Sequence, residues 1–326
     1  MFCSTIIPTI GRPTLSRAIH SVLDQKFTHD DYEVIVVNDS GKPLLDEPWQ
    51  KSAWVQIINT NRHNRSVARN SGAAIAKGKY LHFLDDDDWM LPGVFENFWE
   101  MANTNQAAWL YGAFRLVDDA DTTITEIFPD ETGNCLMPLI AWEWLPLQAS
   151  LIESKAFFAV GGFASLESLL GGFEDVDLSR QIACKYDMAR LNRVVTCIRV
   201  GTESSTTNYS NMFSQNRQSR EKTLNTPGTF ARMRASAQAD ASRPGYWYGK
   251  IIYYYLASTK WHFEHKRLFS AANRTVYTLA SLVTAGRYIF SADFWHGVLK
   301  PHYPRMGIAL QESGASRLYQ DITWRQ

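Results

Sequence analysis

The chain has 326 residues, enough for one large domain or two ordinary ones with a substantial core. Lysine and arginine together number 33, as do aspartate and glutamate, so the formal net charge is zero. Nucleic-acid-binding proteins usually carry a basic excess, and we therefore expect no nucleic-acid partner. Hydrophobic residues at 45% and charged residues at 20% are typical of a globular protein and exclude a disordered one.

The cysteines and the apolar segments limit where the protein can reside. The four cysteines are dispersed and form no CxxC pair, which indicates reduced thiols in a cytosolic chain. The apolar N-terminus has no basic region and is interrupted at Pro8, unlike a secretory signal. No apolar run in the sequence approaches the roughly 20 residues of a membrane span. We predict a cytoplasmic protein, at most peripheral at the inner face of the membrane.

The N-terminal part of the chain alternates between strand and helix patterns. Runs that predict buried strands occupy residues 4–9, 33–37, 55–58 and 80–84. Between them, residues 15–23 and 66–76 carry apolar or small side chains at helical spacing. Alternation of this kind predicts an α/β fold with a Rossmann-like, mostly parallel sheet flanked by helices.

Three of the predicted strands end in polar residues: Thr9, Asp39 and the four consecutive aspartates 85–88, here called the aspartate run. Four adjacent carboxylates repel one another, and a divalent cation with oxygen ligands, Mg²⁺ or Mn²⁺, would offset that repulsion. Taken alone, the run is equally consistent with a solvated acidic loop. Because ligands of such sheets bind beyond the carboxyl ends of the strands, three polar strand ends at one edge favour a binding site.

Several motifs occur together in this order. They are Ile6-Ile7-Pro8-Thr9 with Arg12, Ser21-Val22-Leu23-Asp24-Gln25, Val37-Asn38-Asp39-Ser40-Gly41, Ala68-Arg69-Asn70-Ser71-Gly72 with Ala76-Lys77-Gly78, and Phe83-Leu84 followed by the aspartate run. Together they resemble the nucleotide-binding half of a family 2 glycosyltransferase of the GT-A fold. The resemblance is dense over residues 4–92 and sparser to about residue 205. It implies transfer of a sugar from a nucleoside-diphosphate sugar, with a UDP-linked donor favoured, to an acceptor hydroxyl, with inversion at the anomeric carbon.

The resemblance assigns nucleotide-sugar contacts to Pro8, Thr9, Arg12, Asp39, Arg65, Arg69 and Asp86. Asp39 would accept a hydrogen bond from the base, such as uracil's imide N–H, although it could also cap its own turn. Arg65 or Arg69 would pair with the diphosphate or the base edge, while a structural ion pair is an equal alternative for Arg69.

The resemblance also divides the aspartate run. Asp87 is expected to be the main metal ligand, with Asp85 acting directly or through water, and Asp86 is expected to contact the ribose. Mg²⁺ usually takes one or two protein carboxylates, so four cannot all be ligands. Asp88 is expected to cap the next helix, which Pro92 would start.

The following residues are assigned to an acceptor half. A helix is predicted from residue 94 to 101, and strands at 108–112 and 114–117 on either side of a glycine break. The acidic cluster at 118–121 is expected to be solvated surface. Trp142, Trp144 and Gln148 are placed in the sugar and acceptor pocket; either indole could stack on a sugar or pack in the core.

A second motif, Gly171-Gly172-Phe173-Glu174-Asp175, resembles the acceptor-side motif of the family. Asp175 matches the general base, at a helix N-terminus where the dipole favours an anion. Gly172 and Glu174 would line the same pocket. Ordinary N-terminal capping is the alternative for the two acids. Asp177 and Arg180 are expected to form a surface pair.

Domain limits are expected at 1–210 for the GT-A catalytic domain (1–92 binding the nucleotide sugar and 93–210 the acceptor) and 211–326 for a C-terminal, mainly helical region. Rings and basic residues interleave in this last region. One interpretation is peripheral contact of residues 247–290 with an anionic membrane, close to a lipid-linked or glycan acceptor. The other is packing on the catalytic domain or on a second subunit.

Two other functions are consistent with part of the pattern. A nucleotidyltransferase also combines a parallel sheet, a metal and a nucleotide, but Gly11-Arg12-Pro13 is a poor phosphate loop. A catalytically degenerate sugar-nucleotide-binding scaffold would not be expected to keep Asp39, the aspartate run and Asp175 together. The sequence specifies neither the sugar nor the oligomeric state.

Overall fold

The computed structural model describes residues 1–141, 143–164, 173–200, 209–300 and 302, with the backbone alone at 209–213. The strands are β1 (Cys3–Thr9), β2 (Tyr32–Asn38), β3 (Val55–Asn59), β4 (Tyr80–Phe83), β5 (Trp89–Met90), β6 (Trp109–Val117), β7 (Thr123–Ile127), β8 (Ser150–Glu153) and β9 (Met188–Arg199). Eight of them form one path in the order β3-β2-β1-β4-β8-β6-β9-β5, and β7 pairs with β6.

The α/β class is confirmed, and the sheet is more mixed than expected. Strands β3, β2, β1 and β4 are parallel, as the alternating N-terminal pattern predicts. Beyond β4, strand β8 is antiparallel to both of its neighbours. The glycine break expected within 108–117 is absent there, because β6 runs through Gly112. A Cβ atom at Gly112 would lie 2.7 Å from the Val195 side chain, so the glycine lets β9 approach closely.

Helices cover both faces of the sheet. Those of the N-terminal and central parts are α1 (Leu15–Leu23), α2 (Arg65–Ile75), α3 (Val94–Thr104), α4 (Leu136–Ile140), α5 (Ser154–Ala159) and α6 (Glu174–Ala183). Successive residues of the central strands enter opposite cores, as the period of two requires: Ile6 packs in one cluster and Ile7 in the other. Helices α1 and α3 contribute to the Ile7 cluster, whereas α2, α4 and α6 contribute to the Ile6 cluster.

The C-terminal region is helical, as predicted. It comprises α7 (Tyr209–Asn225), α8 (Thr229–Ala239), α9 (Pro244–Glu264), α10 (Leu268–Ala285) and α11 (Ala292–Leu299). Four rings of α9, those of Trp247, Tyr248, Tyr254 and Tyr255, are at most 2% exposed and belong to the Ile6 cluster. Packing on the catalytic core is therefore the correct interpretation for these rings. Among the described residues, no helix is both long and apolar enough to cross a bilayer.

Two local predictions between residues 88 and 180 are wrong. Asp88 does not cap the next helix: it precedes strand β5, and its Oδ1 accepts a hydrogen bond from the Arg199 backbone at 2.8 Å. Helix α3 begins two residues after Pro92, with Gly93 as its N-cap. Asp177 and Arg180 do not form a surface pair, because both are buried.

Each of those two residues has a different partner. The Asp177 carboxylate pairs with Lys222 at 2.7 Å. The Arg180 guanidinium donates to the carbonyl oxygens of Leu139 in α4 and Asn216 in α7. Residues one helical turn apart lie close in space and can pair. Here helix α7 packs against α6 and provides other partners for both side chains.

The acidic cluster at 118–121 lies in the exposed turn between β6 and β7, as expected. It is not only solvated, however. Asp121 pairs with Arg17 of α1 at 2.7 Å and with Arg199 at the end of β9 at 2.5 Å. Arg17 in turn lies over the Trp89 ring, 3.3 Å from its centroid. The turn therefore ties three separate elements together beside the aspartate run.

Candidate active site

The carboxyl ends of β1 and β4 meet, as the parallel register requires. Thr9, the last residue of β1, donates from Oγ1 to Asp86 Oδ2 at 2.6 Å. The guanidinium of Arg12, in the loop after β1, donates to Asp86 Oδ1 at 2.8 Å and to Asp87 Oδ2 at 3.0 Å. Burial raises the pKa of Asp86, against the effect of Thr9 and Arg12. Thr9, Arg12 and Asp86, which the resemblance assigns to the nucleotide, are therefore close together, and here they bind one another.

Asp85 is held by two side chains from other elements. Its Oδ1 accepts from Arg69 Nη2 at 2.6 Å, and its Oδ2 accepts from Gln148 Nε2 at 2.8 Å. Burial alone would raise the pKa of Asp85, but the charge and hydrogen bond of Arg69 lower it. The carboxylate is therefore ionised and fixed in orientation.

Arg69 connects the aspartate run to the start of α6. Its Nη1 donates to Glu174 Oε1 at 3.0 Å, while its Nη2 holds Asp85. The side chain is 4% exposed, and Glu174 is 3% exposed. Arg65, one turn earlier on α2, also lies 3.2 Å from Glu174 Oε1. Arg69 thus forms ion pairs within the protein, which was the alternative to a contact with the diphosphate or the base. These ion pairs lie inside the candidate site.

Asp87 differs from the other members of the aspartate run. Its side chain is 32% exposed, and Arg12 is its ion-pair partner. Burial, followed by the charge of Asp85, raises the pKa of Asp87 to about 6. A cation with oxygen ligands would relieve this repulsion. Within the described residues, no group of three or more His, Cys, Asp or Glu side chains is arranged to hold a metal by itself. The carboxylate oxygens of the aspartate run are of the donor type that Mg²⁺ and Mn²⁺ prefer.

Asp39 organises the loop that follows β3. Its Oδ1 accepts from Thr60 Oγ1 at 2.8 Å and from the Arg62 backbone at 2.5 Å, and its Oδ2 accepts from the Asn64 backbone at 2.5 Å. Burial would raise the pKa of Asp39, but these hydrogen bonds lower it. The carboxylate thus shapes the loop that leads into α2, where Asn64 caps the helix by accepting from the Val67 backbone.

Asp175 occupies the first turn of α6, where the sequence placed it. Its Oδ2 accepts from the Trp144 indole Nε1 at 2.9 Å, and its Oδ1 lies 2.8 Å from the Val176 backbone nitrogen, which donates to it. Burial raises the pKa of Asp175, and the neighbouring Glu174 raises it further. A carboxylate in these surroundings gains a proton more readily than one in water.

Trp144 was expected either to stack on a sugar or to pack in the core, and the structure shows a packed ring whose indole N–H lies in the candidate site. Its ring packs edge-on against Phe114, with 5.7 Å between centroids, while its indole N–H contacts Asp175. Pro8 ends up inside β1, paired with Val37 of β2. The predictions for Trp142 and Gly172 lie outside the described residues.

Two supporting residues escaped the sequence pattern. The backbone oxygen of Gln148 lies 2.9 Å from His82 Nε2 and also accepts from Thr196 Oγ1 at 2.9 Å. Thr5 Oγ1 lies 3.2 Å from the other ring nitrogen of His82. A histidine inside the apolar strand β4 is the one signal for this arrangement in the sequence. Thr196 gives none, because its contact depends on the pairing of distant strands.

Several buried polar atoms of this network have no hydrogen-bond partner among the described residues. In the part of the chain that the structure describes, Gln148 Oε1, Glu174 Oε2 and Arg69 Nε make no hydrogen bond. The Gln148 amide must direct Nε2 toward the Asp85 carboxylate, so Oε1 presents an acceptor elsewhere. Buried polar groups in native proteins are nearly always paired, and such orphans indicate places where a ligand or water binds.

Comparison with known proteins gives a match over the same region. Residues 4–165 match the family described as Glycosyl transferase family 2. The chain is 28% identical over 163 residues to the poly(ribitol-phosphate) beta-N-acetylglucosaminyltransferase TarP of Staphylococcus aureus, covering 48% of this chain and 46% of TarP. It is 33% identical over 109 residues to the uncharacterized glycosyltransferase EpsJ of Bacillus subtilis, covering 32% of this chain and 31% of EpsJ.

Solved structures with the same fold extend further along the chain. The structure of S. aureus TarS 1-349 in complex with UDP-GlcNAc aligns with a TM-score of 0.54 at 14% identity, covering 85% of this chain and 90% of that one. The complex of the same fragment with UDP gives 0.55 at 16% identity, covering 73% and 70%. This likeness confirms the GT-A fold with its C-terminal helical region. The chain spans 31–59% of the length of the first three curated relatives that it matches.

The pKa of His82 provides a test of the support beneath Gln148. Burial lowers this pKa from 6.5 to about 4, so the folded protein keeps the ring neutral while the unfolded chain protonates it below 6.5. Stability from this group is present above pH 6.5 and is lost as the pH falls toward 4, by up to about 3 kcal/mol.

We therefore expect the free energy of unfolding of the wild type to fall more steeply between pH 6.5 and 4.5 than that of His82→Gln, which keeps an amide donor and does not titrate. Urea denaturation at a series of pH values measures both curves. Parallel curves would show that His82 is not held neutral in the folded state.

Proposed function

The chain belongs to glycosyl transferase family 2, and we propose that it transfers a sugar from a UDP-linked donor to an acceptor hydroxyl, with inversion at the anomeric carbon. The observation that carries this proposal is the continuous set of contacts from Asp85 through Arg69 to Glu174, the neighbour of Asp175. One buried arginine thus contacts both Asp85 of the aspartate run, which is suited to a diphosphate-bound cation, and Glu174, which directly precedes the proposed base.

Enzymes of this family typically bind a divalent metal together with the nucleotide sugar. Here Asp87 is the best-fitting ligand for Mg²⁺ or Mn²⁺, because its carboxylate is partly exposed and its pKa is raised. Asp85 would assist through water, since Arg69 and Gln148 already occupy its oxygens. When bound, the metal would neutralise the charge of the departing diphosphate.

Asp175 is proposed as the general base. As the acceptor oxygen bonds to the anomeric carbon, the bond from that carbon to the diphosphate breaks, and the acceptor proton passes to the Asp175 carboxylate. A raised pKa brings this carboxylate closer to the proton affinity that a base needs near neutral pH. A single displacement of this kind inverts the centre and needs no covalent nucleophile.

Gln148 and Glu174 are proposed to bind hydroxyl groups of the donor sugar. Each presents a fixed buried acceptor atom, Oε1 and Oε2 respectively, that has no hydrogen-bond partner within the described residues. An acceptor pair selects ligand groups that donate, and a sugar lacking such a hydroxyl would leave a buried oxygen unpaired at a cost of about 1–3 kcal/mol. Trp142, Trp144 and Gly172 remain proposed members of the same pocket.

Preference for UDP is proposed from the relatives and from the strand-end residues. The TarS structures were solved with UDP-GlcNAc and with UDP. Pro8, Thr9 and Asp39 lie at the ends of β1 and β2, where the base would bind, and Arg12 and Arg65 would then meet phosphate oxygens. Arg12 would have to leave Asp87 when the metal binds, and its 47% exposed side chain has room to move.

The division into residues 1–210 and 211–326 remains a proposal, supported by the start of the helical series at Tyr209. In the C-terminal part we propose that the outer face of α10, together with residues 286–290, contacts an anionic lipid surface. Phe269, Val283 and Phe290 are each more than 80% exposed there. The opposite face of α10 buries polar side chains, including Arg274, so the apolar residues of this helix point outward.

Basic side chains border this apolar face. Lys266, Arg267 and Arg287 are exposed at the two ends of α10. An apolar surface with a cationic rim is the combination that binds anionic membranes, with about 1 kcal/mol from each basic residue near the surface. Such contact would place the proposed site near a lipid-linked or glycan acceptor.

Substitution of the proposed base tests the reaction. Asp175→Asn keeps the side-chain shape but cannot take the acceptor proton, so we expect kcat to fall about 10²-fold or more. Binding of UDP with Mn²⁺, measured as a thermal shift, should stay within about twofold of the wild type. GDP and dTDP should give smaller shifts than UDP in both proteins.

UDP release from UDP-GlcNAc and other UDP-sugars measures the turnover. An Asp175→Asn enzyme that turns over normally would refute the assignment of the base. A wild type that is stabilised by neither UDP nor any other nucleoside diphosphate, with or without Mn²⁺, would refute the transferase proposal itself.

Co-sedimentation with vesicles tests the lipid surface. We expect the wild type to pellet with phosphatidylglycerol-containing vesicles at low salt and less at high salt, and to stay in solution with pure phosphatidylcholine. The double variant Phe269→Ser with Phe290→Ser should bind vesicles about tenfold more weakly or worse, because it removes two rings that the lipid would bury.

A matched double variant, Leu45→Ser with Phe158→Ser, removes two exposed apolar side chains from the catalytic part and should bind like the wild type. Equal pelleting with and without vesicles, or equal losses in the two double variants, would rule out the proposed face.

A further inference from the structure

A buried chain of hydrogen bonds joins the C-terminal region to the segment that carries Trp144. His302 Nε2 lies 3.0 Å from Glu143 Oε1, and His302 Nδ1 lies 2.7 Å from the Tyr246 hydroxyl. Glu143 is 4% exposed and His302 is 5% exposed. Glu143 and His302 are separated by 159 positions in the sequence, so their contact depends on how the C-terminal region packs on the rest of the chain.

The protonation of His302 follows from these partners. Burial lowers the pKa of His302, while Glu143 acts in the opposite direction. A neutral ring with its proton on Nε2 donates to Glu143 and accepts from the Tyr246 hydroxyl, which satisfies both nitrogens. The rings of Tyr246 and Trp247 lie 6.0 and 5.4 Å from the His302 ring, centroid to centroid, and fix its plane.

Glu143 directly precedes Trp144, whose indole N–H donates to Asp175. The Glu143 backbone is also anchored, since its N–H donates to the Pro138 oxygen at 2.9 Å. With backbone and side chain both held, the segment has little freedom to rotate, and the Trp144 indole stays directed at Asp175. A side chain positioned by a fixed supporting residue keeps its geometry far better than one on an unsupported loop.

We propose that His302, through Glu143, is a positioning residue that directs the Trp144 indole at Asp175 and so makes the catalytic centre dependent on the C-terminal region. The inference rests on the proposed function only in giving Asp175 the role of base. The predicted physical effect is a weaker hydrogen bond to the ionised Asp175 when His302 is lost.

The groups that act on Asp175 define the expected effect. Glu174 and burial raise the pKa of Asp175, whereas Trp144, the Val176 backbone and Arg69 lower it. Loss of the Trp144 contact would therefore raise it further, by roughly one pH unit for one hydrogen bond to a charged group. The groups that act on His302 are Glu143, Lys250 and Arg243, and the variants below leave both cations unchanged.

The test follows the Trp144 indole N–H directly, by NMR of full-length protein labelled with ¹⁵N-tryptophan. Trp144→Phe identifies its resonance among those of the 11 tryptophans. In the wild type this resonance should titrate with Asp175, and Asp175→Asn should abolish the titration. In His302→Ala the resonance should move upfield and its titration midpoint should rise by roughly one pH unit.

His302→Gln, which can still donate to Glu143, should restore most of the wild-type behaviour. His265→Ala removes an exposed histidine of the same region and should change nothing. Should His302→Ala fail to fold, Glu143→Leu removes both acceptor oxygens at similar side-chain size and should show the same rise in midpoint. For UDP release from a UDP-sugar, we expect kcat to fall about tenfold in His302→Ala, with the KM for the donor within about twofold.

An unchanged Trp144 resonance in folded His302→Ala, or in Glu143→Leu, would overturn the inference. Because the NMR measurement needs no substrate, that result is distinct from failure of the proposed transfer reaction. A fall in kcat without any change in the resonance would likewise overturn it, because His302 would then not act through Trp144.

Discussion

The buried guanidinium of Arg69 is the contact on which the candidate site depends. It stands on α2, which packs over the first strands, and it reaches Asp85 after β4 and Glu174 at the start of α6. Removing one partner of a buried ion pair costs about 3–5 kcal/mol, because the remaining charge is then buried without a partner and without solvent. Arg69 therefore fixes two carboxylates that come from parts of the chain about 90 residues apart.

The arrangement around Arg69 gives each aspartate of the run a different environment. Asp85 is engaged by Arg69 and Gln148, Asp86 by Thr9 and Arg12, and Asp88 by the Arg199 backbone. Asp87 shares Arg12 with Asp86, is 32% exposed and has a raised pKa. The four side chains thus have different sets of partners, which supports the proposed division of the run between metal ligands, Asp85 and Asp87, and carboxylates with other roles.

The sequence predicted the features that depend on local pattern. Strands β1 to β4 and helices α1 and α2 follow from hydrophobic period and turn residues, which act within a few positions, while the position of Asp175 at a helix start follows from the family resemblance. It could not predict contacts that depend on which distant element packs nearby. Asp177 and Arg180 are one turn apart, yet α7 supplies other partners for both. The sequence left the rings of α9 open to an interfacial role or to packing on the catalytic domain, and the structure shows that they pack inside the core.

The contact between Arg69 and Glu174 is the link between the nucleotide side and the base side, and a double-mutant cycle on this pair tests it most directly. The free energy of unfolding is measured for Arg69→Met, Glu174→Gln and the double variant. We predict that the double variant is more stable than the sum of the single losses implies, by about 1–3 kcal/mol. Losses that add to within about 0.5 kcal/mol would contradict the account, because they would show that the two charges do not depend on each other.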